Sequence, residues 1–231
     1  MPNEGHIVET GTLAEQAHQR LEELIVTLAL PPGSVWSEAS LAERLSIGKT
    51  PVREAAQRLE AAHLVEIVPR HGIMITKPNI HEQLLVLETR RELERLIAQR
   101  AARRALPNER EQMRAAAAML EVAGESGEVL AYLRSLYVAN QLMGQLARNT
   151  FAAEAIAPLH ALSRRFYFMY HQQLNDLKTA SQLHSEVTNA IAAGDERAAG
   201  LAVDSMMDYV DSLTKACLTR DFEPHPAPAQ V

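Results

Sequence analysis

Cys217 is the only cysteine in this chain of 231 residues, so neither an internal disulfide framework nor zinc-finger spacing can be built. The first residues lack the basic-then-apolar pattern of a secretion signal, and no apolar run is long enough to span a bilayer. A cytoplasmic protein with no membrane partner is the expectation. There is no basic domain either. Up to Pro78 the chain holds 7 Lys and Arg against 10 Asp and Glu, and beyond it 16 against 19, a net −3 in each part. Any contact with nucleic acid must therefore come from a local patch. A G-x-S-x-G elbow, a phosphate loop, an H-E-x-x-H pair and a reactive-cysteine motif are all missing. Nothing supports an enzyme, and no residue is assigned a catalytic role. What the chain does have is a 47% hydrophobic fraction, too high for a disordered polypeptide. Its alanine-rich helical periodicity and scarcity of strand-forming runs predict a mainly α protein of two domains.

The most informative stretch is Gly48 to Glu60, GKTPVREAAQRLE. Pro51 suits the first turn of a helix, and Thr50 before it is placed to cap that end. Val52, Ala55, Ala56 and Leu59 recur at helical spacing and predict an inward face. Lys49, Thr50 and Arg53 are then donors crowded at a helix N-terminus, the end that favours anions. Upstream, Leu13 to Leu28 reads as a helix stopped by Pro31-Pro32-Gly33, and Ser37 or Ser40 can cap a short helix through Leu45. A short helix, the Ser46-Ile47-Gly48 turn and a second helix are the parts of a helix-turn-helix. Two strand-like runs, Leu64–Val68 and Gly72–Thr76, flank Pro69-Arg70-His71 and predict a wing whose basic tip reaches nucleic acid. The plainer reading is an amphipathic helix with a solvated basic edge, and a hairpin that Arg70 and His71 merely solvate.

PPGSVWSEASLAERLSIGKTPVREAAQRLEAAHLVEIVPRHGIMI resembles the winged-helix domain of the GntR family of transcription regulators. The matching features are Pro32-Gly33, Glu38, Leu41-Ala42, Thr50-Pro51-Val52-Arg53-Glu54-Ala55, Leu59, Leu64-Val65 and Gly72. The resemblance implies DNA contacts from Lys49, Thr50 and Arg53 on the recognition helix and from Arg70, His71 and Gly72 at the wing. Arg53 suits a bidentate contact to a guanine edge, Lys49 and Thr50 suit phosphates, and Arg58 suits a flanking contact. Where the family usually has Ser-Arg or Thr-Arg, this chain has Gly48-Lys49, without a side-chain cap and without arginine's planar fork.

After Pro78-Asn79 the sequence predicts six helices, near 80–105, 108–123, 128–147, 150–173, 178–193 and 195–217, enough for an antiparallel bundle with an interior cavity. This part resembles the FCD effector domain of one GntR branch, through Arg90-Arg91-Glu92-Leu93-Glu94, Leu146-Ala147-Arg148-Asn149, His184 and Ala190-Ile191-Ala192-Ala193-Gly194-Asp195. The implied domains are a loose tail over 1–11, a winged helix-turn-helix over 12–78, an effector-binding and dimerisation domain over 79–222, and a Pro-rich tail over 223–231. Arg90 is implied as a carboxylate-binding residue, and Asn140 and His184 as polar contacts to an effector. Arg134, Tyr137, Arg164 and Tyr167 are further candidates on neighbouring helices. The competing readings are that Arg90 pairs with Glu94, four residues on, and that His184 is a satisfied core histidine.

Many FCD domains hold a divalent metal through an Asp and a His four apart and two later histidines. Carried onto this chain, those positions fall on Leu136, Asn140, His184 and Met206. Only His184 is a good ligand, so the expectation is no metal and no other cofactor. The alternative is a shifted set drawing an oxygen from Asp204 or Asp208. Leu136 and Met206, with Met143, Met169 and Met207, lean toward an apolar cavity, although such residues are more often core. The function implied is a homodimeric repressor that binds a short inverted repeat of operator DNA and is released by a small-molecule effector of the carboxylate class. The rival is a winged-helix adaptor acting through protein contacts.

Overall fold

The computed structural model describes residues 11–219, which form two compact units, one running to Lys77 and one starting at Pro78. Most of the expected loose tail and all of the Pro-rich tail lie outside the described residues. The first unit begins with α1 (Leu13–Val26), whose start is fixed by a reciprocal cap: Thr12 accepts from the Glu15 N–H and Glu15 reaches back to the Thr12 N–H. A second cap of the same kind, Ser37 with Ser40, opens α2 (Glu38–Leu45). Ser46, in the left-handed region at φ 54°, ends α2 and turns the chain into α3 (Lys49–Ala61). The N-cap of α3 is Gly48 and not Thr50, which lies inside the first turn, so no side chain caps this helix. The inward face of α3 is Val52, Ala55, Ala56 and Leu59, all buried, and α3 packs against α1 and α2, which bury Leu21, Ile25, Leu41 and Leu45.

The hairpin follows as β2 (Val65–Val68) and β3 (Gly72–Ile75), with Val65 opposite Ile75 and Val68 opposite Gly72. A further strand, β1 (Val35–Trp36), pairs with the other side of β3 and gives the sheet order β1-β3-β2. Two residues leave no period to read, so sequence patterning could not announce β1. Glu60 ties α3 to the hairpin by accepting the Ile67 N–H at 2.8 Å.

The second unit is built from α4 (Ile80–Arg104), α5 (Pro107–Ser126), α6 (Val129–Leu146), α7 (Thr150–Leu174), α8 (Leu177–Ala193) and α9 (Glu196–Thr219). These correspond to the six expected helices to within a few residues. Pro107 opens α5 where its missing N–H costs nothing, and Asn149 caps α7 through the Ala152 N–H. The closest helix pairs are α5 with α8 and α4 with α9. Small residues allow that approach: Ala98, Ala101 and Ala102 of α4 are fully buried beside Ala199, Val203 and Met207 of α9. No helix among the described residues is long and apolar enough to cross a membrane.

Gly72 is the position in the hairpin that another residue fills badly. Its φ is +118°, and a Cβ there would stand 2.5 Å from the Trp36 carbonyl oxygen of β1. Gly72→Ala should therefore destabilise the first unit by about 1–3 kcal/mol, through strain and a weakened β1–β3 contact. Urea unfolding of the full chain, monitored by Trp36 fluorescence, measures this; an unchanged midpoint would show that the strand relaxes at no cost.

Candidate functional site

In the first unit the sequence-predicted contact residues lie on two exposed edges. Lys49, Thr50 and Arg53 all sit in the opening turns of α3 and are solvent-exposed. Because Gly48 offers no side-chain cap, the first backbone N–H groups of α3 have no side chain to satisfy them, which suits a phosphate oxygen. Arg70 and His71 are exposed at the tip between β2 and β3, with Arg70 held in the left-handed region at φ 65°. Gly72 serves backbone geometry and is partly covered. Arg58, in the last turn of α3, is separate from this group: its charge acts on Glu15 and His18 of α1.

Arg53 is already engaged. Its Nε donates to Glu38 Oε1 at 2.9 Å and its Nη2 to Glu38 Oε2 at 2.8 Å. The two side chains are 60% and 34% exposed, so the pair lies in solvent at the edge where α2 and α3 start. The Arg53 fork holds the Glu38 carboxyl below its ordinary range, with a smaller contribution from the Lys49 charge. Sequence spacing gave no hint of this bond, since fifteen residues separate the partners.

The second unit holds a cavity of about 50 Å³, open to solvent on one side, between α4, α6, α7, α8 and α9. Arg90, Asn140, Arg164, Tyr167 and His184 line it, as the sequence reading expected. Two candidates do not. Arg134 is exposed on α6, on the face turned from the bundle. Tyr137 is not in the lining; the Arg164 guanidinium carbon lies over its ring, 4.8 Å from the centroid. The sequence reading missed Gln83, Tyr132, His160, Ser163 and Tyr209, which also line the cavity. The signal was available on α7: His160, Ser163, Arg164 and Tyr167 recur three or four apart and make a polar stripe among its apolar residues.

The chemistry of the cavity centres on Glu94. Arg90 donates to Glu94 Oε2 from Nε at 3.1 Å and from Nη2 at 2.8 Å, with both side chains buried. His160 Nε2 lies 3.4 Å from the same oxygen, close enough for attraction but not aligned as a hydrogen bond. Burial opposes ionisation of Glu94, yet Arg90 and His160 outweigh it and keep the carboxyl well below its usual range. Burial likewise pushes His160 down. Arg90 thus pairs with Glu94 and faces the cavity at once, so its two readings are compatible.

His184 lines the same cavity from α8. Its Nδ1 is 2.8 Å from the Ala180 carbonyl, which can only accept, so that nitrogen carries the proton and Nε2 is left as an acceptor. Tyr132 Oη is 3.1 Å from the same Nδ1. Burial lowers the His184 pKa to about 4, against a smaller upward effect of the Ala180 bond. Beside the cavity, Asp176 accepts from the lining residues Tyr167, through Oη at 3.0 Å, and Tyr209, through Oη at 2.6 Å, joining α7 to α9.

Leu136, Asn140, His184 and Met206 do converge: all four line a smaller space of about 10 Å³ that shares Leu136, Asn140 and His184 with the main cavity. The donor set there is one imidazole, one amide and one thioether, which does not fit a zinc-type or manganese-type ion. Glu94 also lines this space, but its charge is answered by Arg90. The shifted ligand set is not formed either. Asp204 is bound by Arg95 and Asp208 by Arg91 at 2.7 Å, on the outer α4–α9 seam and away from both spaces. Among the described residues, no three His, Cys, Asp or Glu side chains are gathered to hold a metal.

Two predictions follow from the cluster. Arg90→Met should cost about 3–5 kcal/mol of stability, because it strands a buried carboxylate, whereas Arg90→Met combined with Glu94→Leu should recover most of it. A double-mutant cycle by urea denaturation tests this, and additive losses would deny the coupling. Since the folded His184 pKa lies below the unfolded value of 6.5, the unfolded chain binds the extra proton first as pH falls. The stability is complete above about pH 6.5 and is lost toward pH 4, at about 1.4 kcal/mol per pH unit. His184→Gln should flatten that slope by the same amount in denaturation curves taken across this range.

Comparison with known proteins gives two family matches: the FCD domain over residues 85–209, and the bacterial regulatory proteins of the gntR family over residues 13–75. The chain is 29% identical over 226 residues to the HTH-type transcriptional regulator Rv0494 of Mycobacterium tuberculosis, covering 82% of this chain and 88% of that protein. It is 23% identical over 195 residues to the HTH-type transcriptional repressor RspR of Escherichia coli K12, covering 84% and 86%. Among solved structures, McbR/YncC of E. coli shares the fold with a TM-score of 0.78 at 18% identity, covering 90% of this chain and all of that one.

Proposed function

Because the chain belongs to the GntR family of bacterial regulatory proteins, in the branch that carries an FCD domain, we propose that it is a DNA-binding repressor released by a small organic acid. The observation that carries this reading is the pairing of two features in one chain. One is an exposed donor edge on α3, beside a wing with a basic tip; the other is a cavity walled by guanidinium groups inside an effector domain. Arg53 would read a base, Lys49, Thr50 and the α3 N-terminus would hold phosphates, and Arg70 and His71 would reach the duplex from the wing. Arg58 would act only at the flank.

Effector recognition would fall to Arg90 and Arg164, with Asn140, His184, Tyr167 and Tyr132 as polar contacts. Arg90 uses Nε and Nη2 on Glu94, so Nη1 is the part of its fork that would meet a ligand carboxylate. Leu133, Leu136, Phe166 and Val210 give the remaining wall an apolar character, which favours an acid with a hydrocarbon or aromatic body. No metal is assigned to the bound state, in keeping with the donor set at Leu136, Asn140, His184 and Met206. The protein would work in the cytoplasm as a homodimer on an inverted repeat, since a two-fold protein mirrors a palindromic site. The repressor named RspR is a relative over most of the chain and favours repression over activation. By linkage, the effector and the operator must weaken each other's binding to the same degree.

The test uses the full chain and a duplex selected from a randomised pool. An inverted repeat is expected to emerge, bound with an affinity that falls linearly in log–log form with salt. A panel of aliphatic and aromatic carboxylates is then screened by thermal shift. At least one should raise the melting temperature and weaken duplex binding, by about 5–150-fold for a typical coupling. Retention of no duplex at all would point instead to a protein-contact adaptor; a stabilising acid with no effect on duplex affinity would remove the repressor-release reading.

A further inference from the structure

Glu38 takes up one particular edge of Arg53. A guanidinium has two edges suited to bidentate contact: the side edge, Nε with one Nη2 hydrogen, and the end edge, Nη1 with the other Nη2 hydrogen. Glu38 holds the side edge with both carboxylate oxygens, at 2.9 and 2.8 Å. That leaves the end edge turned away from α2, and it matches the paired O6 and N7 acceptors of guanine in the major groove. The carboxylate is itself fixed. Glu38 is the first residue of α2, whose start is secured by the Ser37–Ser40 cap and favours negative charge. Arg53 rises from the second turn of α3, whose inward neighbours Val52, Ala55 and Ala56 are fully buried. A long, exposed side chain is thus held at its tip by a support on a different helix. An ion pair this exposed adds little to folding stability, so its consequence lies in where it puts the guanidinium.

We propose that Glu38 is a specificity-determining positioning residue: it clamps the side edge of Arg53 so that only the end edge faces DNA, aimed at a guanine. The inference rests on the reading that Arg53 meets a base. Glu38 acts in two opposing ways. Its negative charge near the backbone lowers affinity for any duplex, and its grip on Arg53 raises discrimination at one base pair. Without it, Arg53 would swing among phosphates and bind more DNA with less selectivity. Lys49, whose charge also acts on Glu38, lies beside the pair but has no fork to be aimed.

The experiment compares wild type, Arg53→Ala, Glu38→Ala and Glu38→Gln. Each is titrated by fluorescence anisotropy against the duplex that wild type selects, against every single base-pair variant of one half-site, and against a random-sequence duplex. Arg53→Ala should abolish discrimination at one G·C pair. Glu38→Ala should contract discrimination at that same pair by about ten-fold and raise affinity for the random duplex several-fold, leaving other positions unchanged. Glu38→Gln, which keeps the length and one acceptor, should lie between, and it serves as the informative variant if Glu38→Ala fails to fold. If Arg53→Ala leaves discrimination intact at every position, the base-reading role of Arg53 falls, and this inference with it. If Arg53→Ala has its effect but both Glu38 variants keep full discrimination at that pair, the clamp alone is overturned, whether or not random-duplex affinity rises.

Discussion

Glu94 places an ionised carboxylate in the interior of a helical bundle, and much of the second unit is arranged in answer to that charge. Taking such a group out of water costs several kcal/mol unless cations and donors replace the lost hydration. Arg90, one turn back on the same helix, supplies two bonds to a single oxygen, and His160 on α7 stands against the same atom. The cluster therefore fixes how α4 and α7 face each other, and with it which side chains look into the space between them. Arg164 and Ser163 follow His160 on the same face of α7, with Ser163 bonded to Gln83 of α4 at 3.1 Å. A cavity with polar walls persists where an apolar core would close, because Gln83 is held by Ser163 and Arg90 by Glu94.

In the second unit the four positions where the FCD resemblance puts metal ligands lie around one small space, and their side chains do not make a zinc-type donor set. Leucine, asparagine and methionine fill it with volume and a single weak acceptor. His184 is tied to its own helix through Nδ1 and is held neutral by burial. The guanidinium groups of Arg90 and Arg164 are the cations in the wall of the main cavity.

In the first unit the governing constraint is of a different kind. The net charge of this part is unfavourable for DNA, so the fold concentrates donors at one place. The Gly48 cap leaves the α3 N-terminus open, and Lys49, Thr50 and Arg53 stand over it. Glu38 then appears as an acidic residue within a cationic edge, at a cost in affinity that makes sense only if orientation matters more than charge.

The sequence by itself determined the elements of this protein. Proline pairs, glycine breaks, serine and asparagine caps and the spacing of Leu, Val and Ala are local signals, and they specified the helix-turn-helix, the hairpin and all six helices of the second unit. The resemblance to the FCD domain pointed to Arg90, Asn140 and His184, with Arg164 and Tyr167 as candidates on a neighbouring helix, and these five share one cavity. Only the tertiary structure decided what those residues touch. Arg53 grips Glu38 and Arg90 grips Glu94; the second pairing was a candidate because it is local, and the first was not legible because it joins two helices. Arg134 and Tyr137 lie off the cavity because the rotation of α6 against its neighbours sets which face turns inward, and periodicity cannot fix that angle on a helix with apolar residues on several sides. Strand β1 and the Tyr167–Asp176–Tyr209 link were likewise beyond the sequence, since each exists only through a partner that folding brings near.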